Sequence, residues 1–226
     1  MTNIYLDKVT LASYNQIIDT SVTFNCGGRY MTLTPKAVKK KIYILEKALN
    51  VFIREGYTSV TMKDIVEECE ISRGGLYKYY GSTKEIFEDI LSLEKLNDYS
   101  YFMDSMGKNI NAITIFNNFF QQQKNELSNV KNTIKIATYE FFLSQGKSTS
   151  DKFLGKYFDE SVDIISKLLL YGISRNEITH LDKIDVEKTA RQIVILLEGL
   201  SVLSMSTSVS PDLIQEQIDM IMKTII

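Results

Sequence analysis

Helix-start signals are concentrated in one part of this sequence, between residues 34 and 85. Pro35 suits a first helical turn, Thr61 and Ser72 suit N-cap positions, and Ser82-Thr83-Lys84-Glu85 has the form of a capping box. Gly56 stands where a glycine commonly ends a helix. The spacing predicts one long helix, two helices of about two turns each, and the start of a fourth.

Apolar residues recur at helical spacing in the first of these segments, at Ile42, Leu45, Ala48, Leu49, Phe52 and Ile53. Only two of the 226 residues are proline, and 44% of the chain is hydrophobic, which is enough to bury a core. Beyond residue 92, the pattern predicts helices over 92–106, 110–126, 128–146, 150–174, 185–206 and 211–226. The expected fold class is all-α.

Charge is distributed unevenly along the chain. The formal net charge is −2, so the protein lacks the general basicity of a protein that coats nucleic acid. Residues 31–84 nevertheless carry a net +4, whereas residues 85–226 carry a net −6. Any contact with DNA is therefore expected to be local and to use the first of these two segments.

The sequence contains no recognisable pattern for a metal, a cofactor or covalent catalysis. Cys26 and Cys69 are too few and too isolated for a zinc site or a disulfide framework, and His180 has no nucleophile or carboxylate pair beside it. Neither Gly27-Gly28 nor Gly74-Gly75 has further glycines in phosphate-loop register. We expect no catalytic residues, no metal and no cofactor, and hence a protein that is not an enzyme.

The apolar segments also indicate where in the cell the protein is expected to act. No apolar run approaches the roughly 20 residues that cross a bilayer. The first thirty residues lack a charged head followed by an apolar stretch. Together with the two isolated cysteines, these features predict a cytoplasmic protein without a membrane segment.

Residues 1–30 differ from the rest of the chain, because short apolar and polar pieces alternate there without helical periodicity. The amphipathic pattern begins just after Met31. One interpretation is that Met31 is the biological start and that the leader is a start-site artefact; the other is an ordered extra arm. An intact Met1 or Thr2 terminus on protein from the native host would exclude the first.

The segment Thr61–Glu85, TMKDIVEECEISRGGLYKYYGSTKE, resembles the helix-turn-helix of the tetracycline-repressor (TetR) family of bacterial regulators. The matching residues, preceded by Gly56-Tyr57, are Thr61, Ile65, Val66, Ser72, Gly74, Leu76, Tyr77, Tyr79, Tyr80 and approximately Lys84. The resemblance covers about residues 37–90 and implies a three-helix DNA-binding head over 31–84. It also implies a helical ligand-binding and dimerisation bundle over 85–226.

A recognition helix must be short, and its first turn must be polar, to enter a major groove about 12 Å wide. We assign Arg73 and Tyr79 to base edges, and Tyr77 and Lys78 to phosphates. Helix N-termini favour a phosphate oxygen, so they complete the interface. The predicted DNA-facing residues are Thr61, Ser72, Arg73, Gly74, Tyr77, Lys78, Tyr79, Thr83 and Lys84.

Three positions depart from the family pattern. Glu70 occupies a turn where the family commonly has glycine, which predicts either a looser turn or a left-handed backbone. Tyr79 replaces a common histidine. Thr83 stands where the family usually has lysine and Lys84 follows it, so the choice between them as the phosphate contact stays open.

Other residues near the motif have less specific roles. Leu76 and Tyr80 lie four residues apart and are expected to pack inward. The basic residues of the first helix either form a solvated helix start or contact phosphates, and both readings stay open for Lys36, Lys39, Lys40 and Lys41.

The acidic part of the chain is rich in aromatic residues and methionines, most of which are expected in the core. The family resemblance implies a cavity there for an unidentified small molecule, and the residues that we assign to its lining are Phe102, Met106, Phe120, Tyr139 and Tyr157. It also implies a homodimer through helices 185–206 and 211–226, and hence a pseudo-palindromic operator.

The expected function is a sequence-specific transcriptional repressor that a small molecule releases from its operator. One alternative is a helical small-molecule binding or enzyme domain with a vestigial head, which an Arg73→Ala/Tyr77→Ala variant without cellular effect would favour. Another is a regulator that activates. The sequence names neither the operator, nor the ligand, nor the regulated genes.

Overall fold

The computed structural model describes residues 22–26 and 29–225, with side chains from residue 34 onward except those of 147–153 and 183. Two strands come first, β1 (Val22–Cys26) and β2 (Arg29–Leu33). The helices are α1 (Pro35–Glu55), α2 (Met62–Glu68), α3 (Arg73–Tyr77), α4 (Thr83–Gly107), α5 (Ala112–Ser128), α6 (Lys135–Ser144), α7 (Lys147–Ser174), α8 (Val186–Ser206) and α9 (Pro211–Ile225). Short 3-10 turns occupy Val130–Asn132 and Lys183–Asp185. The helical architecture of both predicted parts is confirmed.

The two strands form an antiparallel hairpin, in which Phe24 lies opposite Met31 and Cys26 opposite Arg29. Sequence analysis assigned no strand here. The usable signal was a Gly27-Gly28 pair between two short β-prone runs, which is typical of a hairpin. The leader hypothesis for residues 1–30 concerns mainly residues 1–21, which lie outside the described part of the chain.

Helix α1 buries one face, and the buried residues are Val38, Lys41, Ile44, Leu45, Ala48, Val51 and Phe52. Three of the six predicted core positions, Leu45, Ala48 and Phe52, are confirmed. Ile42, Leu49 and Ile53 are half-buried, so the predicted stripe was centred slightly to one side of the true core face. Lys41 lies in the buried row, and because lysine is mostly exposed in proteins, the apolar pattern alone did not indicate the centre of the core face.

Two predicted boundaries beyond residue 92 are wrong. The helix over 92–106 is the second part of α4, which runs without a break from Thr83. The predicted helix over 128–146 is divided by the 3-10 turn at Val130–Asn132, after which Thr133 is extended at φ −120° and ψ 165°. The Thr133 hydroxyl donates to the Val130 carbonyl at 2.8 Å, a local bond that competes with helix continuation.

The chain divides into two compact units. One, here called the head, contains the described residues up to Glu55 and Ser59–Tyr101; the other, here called the body, contains Gly56–Thr58 and the chain from Phe102 onward. The sequence places the division after residue 84, but the head takes in α4 as far as Tyr101. The first part of α4 carries four buried side chains, Ile86, Phe87, Ile90 and Leu91.

Close packing in the body depends on a glycine. A Cβ at Gly172 of α7 would lie 2.6 Å from Ile178 Cδ1 and 2.9 Å from Ala112 Cβ. The N-terminus of α5 is capped in the same region, since Asn111 accepts from two backbone N–H groups and Glu177 Oε2 accepts from Ala112 N at 2.6 Å. Without a side chain at residue 172, these elements can approach this closely.

Candidate nucleic-acid interface

Helix α2 begins with the predicted threonine cap. The Thr61 hydroxyl accepts from Asp64 N at 3.5 Å, and Asp64 Oδ2 accepts from Thr61 N at 2.8 Å, which completes a capping box. The Thr61 hydroxyl also donates to Asp64 Oδ2 at 2.7 Å. These hydrogen bonds, led by that of the hydroxyl, hold the pKa of Asp64 below its usual value. Thr61 is exposed at the helix end, although its hydroxyl already has partners.

Helix α3 is five residues long and begins after Ser72, whose Oγ accepts from Gly75 N at 3.1 Å. Leu76 is fully buried and Tyr80 is 3% exposed, so their predicted inward packing is confirmed. The other face is polar and open, with Ser72, Arg73, Gly74, Tyr77 and Lys78 exposed and Tyr79 half-buried.

The two glycines of α3 have different surroundings. A Cβ added at Gly74 would meet no atom within 4 Å, whereas one at Gly75 would lie 3.1 Å from Ser72 Oγ. Gly75 therefore leaves room for the cap hydroxyl. At Gly74 no part of the head occupies the position of a Cβ, so packing within the head does not require a glycine there. The glycine is consistent with close approach by another molecule.

The start of α4 is capped by a variant of the predicted box. Ser82 Oγ accepts from Glu85 N at 3.2 Å, but Glu85 Oε2 accepts from Gly81 N at 2.8 Å instead of from the Ser82 amide. Thr83 and Lys84 are both half-buried. Lys84 Nζ lies 3.8 Å from Glu88 Oε1, a pair between residues one helical turn apart.

The turn before α3 contains a left-handed residue. Glu70 has φ +50°, so of the two predicted outcomes the left-handed backbone is the one observed. A non-glycine residue in this region carries a modest conformational cost.

Three of the lysines of α1 separate into two groups. Lys36 and Lys39 are exposed at the helix start. Lys41 is buried, and its Nζ donates to Asp89 Oδ2 at 3.0 Å, so the phosphate role left open for it is wrong. The sequence signal was its position, three residues after Val38 and three before Ile44 in the apolar row.

The predicted ligand-lining residues of the body fall into two groups. Phe102 and Phe120 are buried, and Phe119 contacts both, with ring centroids 5.4 Å and 5.3 Å away. Tyr139 donates to the Glu198 carboxylate, and Tyr157 packs edge-on against Phe142 at 5.6 Å. Met106 is half-buried.

Sequence reasoning missed Glu198. Burial, followed by the hydrogen bond to Glu198, raises the pKa of Tyr139 far above its usual value, so the phenol is a neutral donor at physiological pH. Glu198 is the one charged residue in the run Gln192–Ser210, and a lone charge in an apolar helix was the usable signal.

The described residues give little support for metal binding, a membrane span or a reactive thiol. No group of three His, Cys, Asp or Glu side chains among them could hold a metal ion. None of the helices in the described part of the chain combines the length and the apolar character that a membrane span needs. Burial raises the pKa of the Cys69 thiol to about 11, which makes it a poor nucleophile.

Comparison with known proteins agrees with this geometry. The family model for bacterial regulatory proteins of the tetR family matches residues 44–90, and a tetracyclin repressor-like C-terminal domain matches residues 115–212. The uncharacterized HTH-type transcriptional regulator YfiR of Bacillus subtilis is 31% identical over 140 residues, which are 62% of this chain and 68% of that protein. The chain belongs to the TetR family. It is a DNA-binding transcriptional regulator.

Solved TetR-like structures share the fold over both units. Reduced NemR of E. coli has a TM-score of 0.67 at 14% identity and covers 83% of this chain and 98% of its own. FadR of Bacillus subtilis, solved with stearoyl-CoA, has a TM-score of 0.62 at 16% identity and covers 82% of this chain and 99% of its own. At these identities the likeness concerns the fold alone.

The last two helices of this TetR regulator carry apolar residues on two faces. Ile193, Leu197 and Leu200 of α8 are buried, as are Ile214 and Ile218 of α9. On the other faces, the exposed apolar side chains are Ile195, Val202, Leu203, Leu213 and Met220. Gly199 lies among them on α8, and a Cβ there would meet nothing within 4 Å.

Proposed function

We propose that this TetR regulator is a repressor that binds a pseudo-palindromic operator as a homodimer and is released by a small-molecule effector. The proposal rests on the two faces of α3. The first turn of this helix is polar and exposed, whereas Leu76 is fully buried. A short helix with that division of faces is suited to enter a major groove while the head supports it from behind.

Each DNA-facing residue has a proposed role. Arg73 and Tyr79 would read base edges, while Tyr77 and Lys78 would contact phosphates and fix the register. Thr61 and the Thr83-Lys84 pair, at the starts of α2 and α4, would approach phosphates of the DNA backbone. Ser72 and Gly74 would let α3 lie close to the major groove. Five of these side chains are exposed, namely Thr61, Ser72, Arg73, Tyr77 and Lys78.

The proposed dimer uses α8 and α9. Exposed Ile195, Val202 and Leu203 on one helix, with Leu213 and Met220 on the other, supply an apolar surface that a second copy would cover. Two-fold symmetry then places two recognition helices on two half-sites about 34–36 Å apart, or a multiple of this.

The proposed effector site lies in the body and includes Phe102, Met106, Phe120, Tyr139 and Tyr157. Its aromatic side chains favour a molecule with an apolar or planar part. A TetR-like neighbour of the same fold, FadR, was solved with stearoyl-CoA, which supports the proposal of such a ligand. We further infer that the protein acts in the cytoplasm, catalyses no reaction and contains no cofactor.

Selection of bound fragments from genomic DNA by the purified protein tests the central claim, at a stated salt concentration because phosphate contacts weaken steeply with salt. We expect enrichment of one pseudo-palindromic sequence by the wild type and none by Arg73→Ala/Tyr77→Ala. Equal recovery of all fragments by the wild type would contradict the proposal. A thermal-shift screen of the same preparation then searches for the effector.

A further inference from the structure

Three side chains from separate parts of the sequence meet in the head. Lys41 belongs to α1, Tyr80 follows α3, and Asp89 belongs to α4. Asp89 Oδ2 accepts from Lys41 Nζ at 3.0 Å and from Tyr80 Oη at 2.9 Å. Lys41 Nζ also lies 4.7 Å from the centroid of the Tyr80 ring. We call this group the Asp89 cluster.

Burial makes the arrangement of the Asp89 cluster specific. The Lys41 side chain is 6% exposed, and a buried ammonium group is costly without a nearby anion. Asp89 supplies that anion. Because a carboxylate with one charged and one phenolic donor forms short, directional bonds, the cluster holds Tyr80 at a defined position.

Helix α3 cannot hold its own orientation, since five residues are far too few for a stable isolated helix. Leu76 anchors it by apolar packing, which resists separation but is not directional. The Tyr80–Asp89 hydrogen bond adds a directional restraint at the C-terminal end, immediately after Tyr79.

We propose that Asp89 is a positioning residue for operator reading: through Tyr80 it sets the rotation of α3 about its axis, and thereby the aim of the base-reading side chains. This inference depends on the operator binding proposed above. Asp89 itself would not touch DNA.

Tyr80→Phe tests the inference, because it removes one hydroxyl and keeps the buried ring. The matched control is Tyr43→Phe, which also removes a hydroxyl from a bond within the head, donated to the Cys69 carbonyl at 3.1 Å. Affinity is measured for the selected operator and for a random duplex of equal length, at one salt concentration. Non-specific binding depends on phosphate charge and not on the fit of side chains to base edges, so it serves as the internal reference.

We expect Tyr80→Phe to weaken operator binding about tenfold while random-duplex binding changes by less than about twofold. We expect Tyr43→Phe to leave the ratio of the two affinities unchanged. An unchanged ratio in Tyr80→Phe, or an equal change in both variants, would overturn the inference.

Amide exchange in the free protein separates this inference from the proposed function. The amides of Lys78, Tyr79 and Tyr80 donate to carbonyls of α3, at 3.2, 2.9 and 3.1 Å. They should exchange faster in Tyr80→Phe than in the wild type, and unchanged exchange would count against the positioning role. If the wild type selects no operator but exchange rises, the proposed function fails while the restraint on α3 stands.

Discussion

The head and the body each place a glycine inside a helix, but the two glycines have opposite surroundings. At Gly172 of α7 an added Cβ would lie within 3 Å of two side chains of the body, whereas at Gly74 of α3 it would meet nothing within 4 Å. The packing of its own chain accounts for the first glycine. The second lies on an exposed surface where no contact within its own chain requires a glycine, which is consistent with the close approach of DNA proposed above.

The largest expected effect follows from the exposed surface around Gly74. Arg73 and Tyr77 are both exposed, so Arg73→Ala/Tyr77→Ala should leave the unfolding transition unchanged. Loss of two DNA contacts should weaken operator binding by about 100-fold or more. Fluorescence anisotropy with a labelled operator measures the affinity, and urea unfolding measures stability.

A control pair outside α3 consists of Arg54→Ala/Tyr99→Ala, which removes one exposed arginine and one exposed tyrosine. This pair should change operator affinity by less than about threefold. If both pairs weakened binding equally, exposed charge in general, and not α3, would be responsible.

Gly172→Ala tests the body side of the comparison. The new methyl group would overlap Ile178 and Ala112, so we expect a loss of about 2 kcal/mol in the free energy of unfolding. Gly155→Ala, in the same helix but with nothing within 4 Å of the new Cβ, should instead stabilise by up to about 1 kcal/mol. Urea unfolding at one protein concentration checks both, and a loss in both variants would show that packing does not distinguish them.

Gly74→Ala should have the opposite profile to Gly172→Ala. Because the added methyl group meets nothing in the free head, the free energy of unfolding should stay the same or rise slightly. Operator affinity should fall about tenfold if DNA approaches the backbone at this residue. Wild-type affinity in this variant would mean that Gly74 does not contact DNA closely.

The head and the body also differ in how far their helix boundaries could be predicted from the sequence. In the head, Thr61 and Ser72 cap helices through bonds that span three residues, so each cap and the backbone N–H that donates to it appear together in the sequence. In the body, α6, α7 and α8 begin without a side-chain cap hydrogen bond. Their boundaries depend on burial against distant parts of the chain, which periodicity locates only approximately.

Contacts between distant residues were the main omission. Lys41 pairs with a residue 48 positions away and Tyr139 with one 59 positions away, so neither partner could be assigned from spacing. The ligand-lining residues stay predictions for the same reason, because a cavity is a property of packing. The division of α3 into a buried and an exposed face could be predicted, since it follows from helical spacing alone.

Gly56 has one role that the sequence predicts and a second that depends on a residue far away in the sequence. Its role as a helix-ending glycine was predictable and is confirmed by φ +78°. Its second role was not, because an added Cβ would lie 2.6 Å from Oε2 of Glu140, which is far away in sequence. The same oxygen accepts from Thr58 N at 3.1 Å and from Thr58 Oγ1 at 3.3 Å, so this carboxylate holds the segment Gly56–Thr58 within the body.

The smallest expected effect is therefore that of Glu140→Ala. It removes both bonds to Thr58 and should cost about 1 kcal/mol of unfolding free energy, because Thr58 is exposed and water replaces part of the loss. Hydrogen exchange of the Thr58 amide should accelerate, while Glu140→Gln, which keeps an acceptor oxygen, should show a smaller increase. If Thr58 exchanged at the wild-type rate in Glu140→Ala, the bond would not restrain this segment in solution, and Gly56 would be needed for its backbone conformation alone.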